Sequence, residues 1–553
     1  MFYRKKVFLS LGITITASFI TICVFVIGSC SSYLHSWRSD LYPENWYPGY
    51  SDNRGRFLHD FSYAGYRAGE EDIPFVQGPL VDVTKHPYYA DNTGVKDVTA
   101  VLQNALDEVG QSGGGVVYMP EGTYNISVED GSDAALQIKY SNMVLRGDGK
   151  GLTKLVNTST YMRDKSIIKI DHKEGMRWTR DKRNITSITS DINEPTKKIP
   201  VTNTAGYSIG DLVVLRSDVT EGFILEHNME GVWNTSIRGP IFYRQIVDID
   251  HNNDNLFIDA PIRYYLKIRD NARVYKVADP IEEVGIENFS IANKENINAG
   301  FEYADYNIRG TGAYEVNRSH AILIVGAINC WIDHLSTFRP AQNESDIHLL
   351  SNGILISHSR HVTVQNCDFQ KSQYNGAGGN GYMYTLRSND CLLKYNVAGE
   401  CRHNYSFKDM SANGNVLYRC TGNDSKSSTD FHMHLSMANL FDNFNVVGDY
   451  IEAFNRRASG THGQSTTQSV FWNTNGIRYH KREDKNKIIY SQQFRWGYII
   501  GTRGNAPDVE VWGGDGTEPI DFVEGIGAGD KLQPESLYKD QLNKRMQRGE
   551  YTY

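Results

Sequence analysis

The chain repeats the segment CLLKYN (391–396) as NVLYRC (415–420) and NLFDNF (439–444), three strand-sized stretches that begin 24 residues apart. A repeated apolar segment at about this period is typical of a solenoid, because one turn cannot bury its own hydrophobic face and must stack on its neighbours. The sequence therefore predicts a coil in which equivalent positions of successive turns lie above one another.

This repeat predicts two rows of side chains in the turns that precede the segments. Counting back seven residues gives a row of proton-active groups: Tyr384, Lys408, His432 and, by the same offset from Ser469, His462. Counting back eight gives an apolar row: Met383, Phe407 and Phe431. Because successive side chains of a strand point to opposite faces, we expect the apolar row in the core and the proton-active row on the outer surface.

A short amphipathic helix precedes the repeats, in DVTAVLQNALDEVGQSGGGVVYMPEGTY (97–124). Its apolar residues recur at the spacing of one helix face, with Asp97 as the expected N-cap and Gly110 as the expected end. A glycine run and a strand follow. A solenoid exposes apolar surface at its open end, so we expect this helix to cap it.

The same stretch, with the leader DFSYAGY (60–66), resembles the N-terminal region of the pectate-lyase-like right-handed parallel β-helix proteins. The resemblance implies an all-β fold, a right-handed parallel β-helix with an N-terminal capping helix. It implies no single reaction, since this scaffold hosts lyases, glycoside hydrolases, epimerases and phage depolymerases.

Between about 160 and 280 the solenoid pattern lapses, and short alternating strands such as GDLVVLRSD (210–218) predict an inserted small β-domain. The sequence thus divides into six parts: a lipoprotein signal peptide (1–30), an aromatic leader (31–96), the cap and first turns (97–160), the inserted β-domain (161–280), the main β-helix with the candidate active site (281–480), and a covering segment (481–553) that ends in a short helix.

The N-terminus indicates export. Three basic residues precede a long apolar stretch, 7–27, and the small residues before Cys30 resemble a bacterial lipobox. Cys30 would then carry a lipid and hold the protein in the cell envelope, at the outer membrane facing the periplasm or the cell surface. An uncleaved membrane anchor is the alternative, since the apolar stretch is long enough to span a bilayer.

Composition excludes some functions. The net charge of -8 over 553 residues gives no electrostatic footprint for nucleic acid. Five cysteines follow Cys30, an odd number in strand-like segments without zinc-type spacing, which favours small buried residues over a disulfide framework. No dense carboxylate motif indicates calcium, so we expect no cofactor, although stacked carboxylates could form such a site after folding. We expect a monomer.

The outer row has the composition needed to cleave uronic-acid saccharides by β-elimination. In this reaction a cation neutralises the carboxylate, a base removes the C5 proton and an acid protonates the leaving oxygen. We predict His432 or His403 as the base, Tyr384 as the acid, and Lys408 with Arg402 or Arg457 as neutralisers. The expected substrate-binding residues are Arg402, His434, Arg456, Arg457, His462, and Asn375 and Lys371 at the glycine-rich loop 374–382.

Three hypotheses for function follow. The first is a carbon–oxygen lyase on a uronate polysaccharide or oligosaccharide, with a sugar or water as the leaving group. The second is a polygalacturonase-like hydrolase, for which a carboxylate pair at a suitable separation cannot be chosen from sequence. The third is a glycan-binding surface protein without catalysis, which would keep binding saccharide after loss of His432 and Lys408.

Overall fold

The computed structural model describes residues 35–172, 178, 182–277 and 279–553. The predicted signal peptide and the lipidation site Cys30 lie outside these residues, so the lipid anchor stays a prediction. None of the helices in the described ranges is long and apolar enough to cross a membrane.

The first part of the chain forms the cap and the first turns of a coil. A 3₁₀ turn, Tyr66–Gly69, precedes them. The elements are β1 (Leu80–Asp82), β2 (Thr93–Asp97), α1 (Thr99–Gln111), β3 (Gly115–Met119), β4 (Gly122–Ile126), β5 (Ala134–Ile138), β6 (Met143–Gly147), β7 (Thr153–Asn157) and β8 (Ser166–Ile170).

Helix α1 closes this end of the coil, as predicted. Its apolar face, which includes Leu102, Ala105 and Leu106, is buried in the main core. Its ends differ from those expected: the N-cap is Val98 and not Asp97, and the helix runs to Gln111, one residue past Gly110. The Asp97 carboxylate still accepts a hydrogen bond from the Thr99 amide at 2.9 Å. The cap thus covers apolar surface that the first turn would otherwise expose to water.

An insertion follows β8 and forms a separate antiparallel sheet of six strands, with order β10-β13-β12-β11-β14-β9. Its elements are β9 (Arg183–Ser187), β10 (Lys198–Pro200), β11 (Leu212–Arg216), α2 (Glu221–Glu226), β12 (Ile241–Asp250), β13 (Asn255–Ile258), a 3₁₀ turn (Ile268–Asp270) and β14 (Arg273–Lys276). Strand β8 itself pairs with β5 in the coil, so the coil extends past residue 161, where the sequence placed the start of the insertion.

The coil then resumes. Its elements are β15 (Ile281–Glu282), β16 (Gly285–Asn293), a 3₁₀ turn (Asp305–Asn307), α3 (Gly312–Glu315), β17 (His320–Val325), β18 (Ala327–Ile328), β19 (Trp331–Thr337), β20 (Asn352–Arg360), β21 (Thr363–Gln365), β22 (Asp368–Gln370), β23 (Tyr382–Asn389), β24 (Leu392–Lys394), β25 (Val397–Gly399) and β26 (His403–Lys408).

The remaining elements complete the coil and its cover. They are β27 (Val416–Tyr418), β28 (Thr421–Asn423), β29 (Thr429–Met433), β30 (Ser436–Met437), β31 (Leu440–Asp442), β32 (Asn445–Val447), β33 (Ile451–Ala453), β34 (Thr466–Thr467), β35 (Val470–Arg478), β36 (Ile489–Ser491), β37 (Tyr498–Arg503), β38 (Val509–Val511), β39 (Phe522–Glu524), a 3₁₀ turn (Gly529–Lys531) and α4 (Leu537–Gln547).

Two long parallel sheets build the coil. One of them, here called the front sheet, runs β5-β8-β17-β20-β23-β26-β29-β33-β36-β38, and a 19-stranded sheet covers the other sides. Strand β16 pairs with β6 and β7, and β17 pairs with β8, so stacking is continuous across the insertion. The predicted fold class, an all-β parallel β-helix with a capping helix and an inserted small β-domain, is confirmed.

The repeat that predicted the fold is present in the pairing. Leu392 pairs with Val416, and Val416 with Leu440, as the 24-residue period requires. Coil strands continue to Glu524, beyond residue 480, where the sequence placed the end of the main helix. The five cysteines of the described chain are buried and unpaired, as expected.

A buried cluster of charges joins the insertion to the coil. The cluster consists of Asp390 and Arg360 from the coil and Arg244, Asp259 and Arg263 from the insertion. Asp390 lies 3.0 Å from the Arg244 guanidinium and 2.9 Å from that of Arg263, and Arg360 lies 2.5 Å from Asp259. Asp390, Arg244 and Arg263 are fully buried. The attachment of the insertion therefore depends on charge pairing inside the protein.

We expect Asp390→Asn to lower the free energy of unfolding by about 3–5 kcal/mol, because it leaves buried guanidinium groups without their carboxylate. Urea denaturation checks this. The control is Glu535→Gln, which removes a solvent-exposed pair with Arg419 and should change stability little. Equal losses in the two variants would contradict the assignment.

Candidate active site

The candidate site lies on the outer face of β23, β26 and β29 in the front sheet. Tyr382 at the start of β23 pairs in register with His403 at the start of β26. Further along, Ser406 of β26 pairs with Asp430 of β29, while Phe407 and Phe431 stack in the core. Alternation along the strands directs Lys408, Asp430 and His432 outward. Tyr382 and His403 depart from it, since Tyr384 and Tyr405, two residues further on, lie in the core. At the starts of their strands, Tyr382 and His403 contact His432 and complete a polar cluster of Tyr382, His403, Lys408, Asp430 and His432.

Asp430 lies at the centre of this cluster and is fully buried. It accepts a hydrogen bond from Ser406 Oγ at 2.6 Å and lies 3.0 Å from His432 Nδ1 and 3.3 Å from the Arg456 guanidinium. Burial alone would raise the pKa of Asp430, but the surrounding charges of His403, Arg456 and His432 hold it well below its ordinary value. The carboxyl group is therefore ionised and can only accept hydrogen bonds.

This ionised carboxylate fixes the tautomer of His432. The Nδ1 atom faces Asp430 at 3.0 Å and the Tyr382 hydroxyl at 3.2 Å. Since the carboxylate can only accept, Nδ1 carries the proton and Nε2 keeps its lone pair. Burial lowers the pKa of His432 to about 4, although Asp430 opposes the shift. A neutral imidazole with a free Nε2 is the form that a general base requires.

Tyr382 holds the cluster together. Its ring stacks on that of His403 with centroids 4.6 Å apart. The Lys408 ammonium also lies over the Tyr382 ring, 3.7 Å from its centroid. Its hydroxyl reaches His432. Burial raises the pKa of Tyr382, so the phenol stays protonated. The side chain thus fixes Lys408 and His432 relative to one another.

Lys408 is the cation of the site that has no carboxylate partner among the described residues. Burial lowers the pKa of Lys408 to about 8; Asp430 acts in the opposite direction, and Arg387 and Arg402 add to the lowering. The neighbouring cations Arg387 and Arg456 are both paired, with Asp409 and with Asp430. Lys408 is therefore the group available to meet an anion from solution.

His403, the second predicted base, is buried. Its Nδ1 donates to the Ser428 carbonyl at 2.6 Å, and its Nε2 is enclosed without a partner in the described structure. Burial lowers the pKa of His403 to about 3. This burial favours His432 over His403 as the base, and gives His403 the role of supporting the Tyr382 ring.

Tyr384, the predicted acid, does not point outward. It is buried in the core, stacks on Tyr405 at 5.0 Å and donates to the Val397 carbonyl. Counting back seven residues from the repeat fails for Tyr384 because the count crosses a corner of the coil. The number of residues in that corner differs between this turn and the next. Leu386 and Leu392 are six positions apart, whereas their partners Phe407 and Val416 are nine apart.

Some of the predicted binding residues border the cluster. Arg456 contacts Asp430 and Glu452, and the His462 ring lies 4.8 Å from that of His432. His434 directly follows β29, and its Nε2 donates to the Thr461 carbonyl at 2.8 Å. These three side chains form the side of the site nearest the insertion.

The other predicted binding residues are engaged elsewhere. Arg402 donates to the Gly376 carbonyl in the glycine-rich loop, and Asn375 accepts from Lys426 at 2.8 Å. Arg457 donates to the Asn228 carbonyl of the insertion. Lys371 pairs with Asp346 at 2.5 Å. Direct substrate binding by these four residues stays a prediction.

Two central residues were absent from the sequence prediction, Tyr382 and Asp430. The string DFHMH (430–434) carried a signal for Asp430, because residues two apart in a strand share a face and Asp430 precedes His432 by two. Tyr382 had no such signal, since its partner His403 is only 21 positions away instead of 24. Among the described residues, no group of three or more His, Cys, Asp or Glu side chains is arranged to hold a metal ion.

Comparison with known proteins agrees with the fold. Residues 83–255 match the family described as rhamnogalacturonase A/epimerase, pectate lyase-like. This match confirms the resemblance to the pectate-lyase-like right-handed β-helix superfamily for that part of the chain. It covers the cap, the first turns and much of the insertion, and it ends before the candidate site.

Two individual proteins illustrate the similarity in sequence. The capsule K1-specific depolymerase of Klebsiella phage K64-1 is 24% identical over 247 residues, 44% of this chain and 24% of that protein. Mannuronan C5-epimerase AlgE5 of Azotobacter vinelandii is 42% identical over 80 residues, 14% of this chain and 8% of that protein. The chain thus spans a quarter or less of these relatives.

Among solved structures, the Gp54 tailspike of Acinetobacter baumannii bacteriophage AP22 is similar at 10% identity and a TM-score of 0.37. The likeness covers 78% of this chain and 67% of the tailspike.

We expect Asp430→Asn to lower the pKa of His432 below its value of about 4, because the negative charge that favours the imidazolium is removed. Carbon-13 spectra of labelled histidine across an acid titration measure this. The control is Asp409→Asn, which affects the carboxylate paired with Arg387 and should leave His432 unchanged. A His432 pKa that stays constant or rises in Asp430→Asn would contradict the pairing.

Proposed function

We propose that the protein is a carbon–oxygen lyase that acts on uronate-containing saccharides by β-elimination. The observation that carries the proposal is the ionised Asp430 beside neutral His432, with the unpaired Lys408 ammonium held next to them by Tyr382. Elimination needs a base and a cation within the length of one sugar unit, and here His432 is the base and Lys408 the cation.

Each group has a defined part in this reaction. Lys408 pairs with the uronate carboxylate and stabilises the negative charge that develops on it. His432 Nε2 removes the C5 proton, the C4–O bond breaks, and a C4=C5 double bond forms. The proton on Nε2 then passes to the leaving oxygen, so a separate acid is not required. Asp430 stabilises the imidazolium that exists between these two steps.

The hydrolase alternative has less support. An inverting or retaining glycosidase needs one carboxylic acid with a raised pKa to protonate the leaving group. On this face the central carboxyl, Asp430, has a strongly lowered pKa. Buried carboxyls with raised pKa values, such as Asp442 and Asp521, are bonded to Ser536 and Ser491 in other parts of the coil.

The leaving group in this proposal is the next sugar or, at a terminal uronate, water. Both reactions use the same base and cation. The relatives support a polysaccharide as the class of substrate, since they include a capsule depolymerase and a protein named alginate lyase 7 from Azotobacter vinelandii. We further propose that the reaction takes place in the cell envelope, with Cys30 as the lipid-bearing residue.

We expect His432→Ala to reduce elimination by about 10²–10⁴-fold, the usual contribution of a positioned general base. The assay is the ultraviolet absorbance of the unsaturated uronate, with a panel of uronate polysaccharides and their oligosaccharides. The control His334→Ala changes an exposed histidine on β19, outside the front sheet. New reducing ends without absorbance would establish the hydrolase, and binding without either signal would establish the non-catalytic alternative.

We expect a bell-shaped pH profile of kcat/KM, with limbs near the pKa values of His432, about 4, and Lys408, about 8. Below the pKa of His432, the imidazole is already protonated and cannot accept the C5 proton. Above the pKa of Lys408, the ammonium loses the charge that neutralises the substrate carboxylate. Lys408→Arg should move only the alkaline limb to higher pH, because a guanidinium stays charged. An alkaline limb that does not move would contradict the role of Lys408.

A further inference from the structure

We infer that the groove over the front sheet is closed at one end, so that the protein acts on the end of a saccharide chain and not at internal positions. This inference rests on the proposed function and adds the mode of attack to it. It comes from the contacts that cover the front sheet on the two sides of β29.

On the C-terminal side of β29 the outer face is filled by the protein itself. The row that contains Asp430 continues in register to Glu452 on β33 and Tyr490 on β36. Glu452 accepts from Ser428 Oγ at 2.8 Å and lies 3.3 Å from Arg456 and 3.1 Å from Lys485. The position next to Asp430 is thus occupied by a satisfied network.

The segment that follows β35 folds back over this network. Lys485 lies over the rings of Tyr450 and Tyr490, at 4.9 Å and 4.6 Å from their centroids. The Tyr490 hydroxyl donates to the Asp484 carbonyl and accepts from the Lys487 amide. Residues 484–487 therefore cover the outer face of β33 and β36, where a polymer would have to pass.

The insertion closes the side of the groove next to this end. Trp233 Nε1 donates to the His462 carbonyl at 3.3 Å. Met229 is buried, and its sulfur accepts a hydrogen bond from the Gln464 backbone N–H. Asn228 bridges Arg457 and Gly516: its backbone carbonyl accepts from the Arg457 guanidinium, and its side-chain Nδ2 donates to the Gly516 carbonyl. Residues 228–233 thus form a wall that is anchored at three points.

The opposite direction is open. A cleft of about 140 Å³ leads from Lys408 and Tyr382 to Asn352 and Leu355 on β20 and His320 on β17. Leu323 of β17 pairs in register with Leu355, and both side chains are partly exposed. At the edge, the Arg318 side chain is 55% exposed and pairs with Asp164 at 2.7 Å. A chain can therefore continue over β20 and β17.

A groove with one open end admits a chain terminus. The terminal unit would lie against Arg456, Glu452 and His462, whose charges and ring nitrogens suit the extra hydroxyl of a chain end. The next units would follow the open cleft past Leu355. An internal segment of a polymer would have to displace Lys485 and the wall of the insertion.

Binding stoichiometry tests this inference without catalysis. The protein with His432→Ala is titrated calorimetrically with polygalacturonate, alginate and hyaluronan, each fractionated into three lengths. We expect one bound protein per chain at every length. Binding that grows in proportion to chain length, with elimination by the wild type intact, would overturn this inference alone. Binding to no member of the panel would overturn it together with the proposed function.

The wild-type protein gives a second readout that does not depend on the variant. Early products of the polymer that shows elimination are separated by size. We expect a single short product, or loss of water without shortening, while the bulk of the polymer keeps its length. A broad mixture of intermediate lengths at low conversion would show internal attack and overturn the inference.

Discussion

The structure depends on the rule that charges inside a protein must be paired. Two carboxylates and three guanidinium groups meet where the insertion joins the coil, and all five are buried: Arg244, Asp259, Arg263, Arg360 and Asp390. Because an unpaired charge here would cost several kcal/mol, this pairing stabilises the observed position of the insertion on the coil. That position also sets residues 228–233 beside His462, so the wall of the candidate site follows from pairing that occurs elsewhere.

The same rule has a different result at the candidate site. The partners of Asp390 are arginines, which stay charged near neutral pH. Two of the partners of Asp430 are histidines, His403 and His432, whose charge depends on pH. Burial keeps both rings neutral near neutral pH, and Arg456 remains to balance the carboxylate. The pairing therefore leaves an oriented imidazole with a free nitrogen, which is chemically useful and which an all-arginine shell would not provide.

The fold could be predicted from sequence because its signals are local and repeated. The 24-residue period gave the correct partners for Leu392, Val416 and Leu440, and the helix pattern after Asp97 gave the cap. These features depend on the alternation of apolar residues, which the sequence displays directly.

The candidate site could be predicted only in part. Lys408 and His432 lie on the predicted face because they are on strands next to the repeat, and His462 lies beside them in the loop between β33 and β34. Tyr384 was placed on the wrong face because a corner of the coil changes length. Tyr382 follows an irregular loop, and its place opposite His403 depends on pairing across turns of unequal length. Such corners have no periodic signal, so side-chain direction there requires the structure.

Charge balance around Lys408 favours an anionic substrate. Arg387 and Arg456 already have carboxylate partners, and in the described part of the chain Lys408 has none. Its burial lowers the pKa to about 8, which means that the surroundings of Lys408 disfavour the ammonium form. A bound carboxylate would supply the missing partner and raise that pKa again. An anionic ligand would thus recover the free energy lost by burying Lys408 without a partner, which is what the proposed function requires of this site.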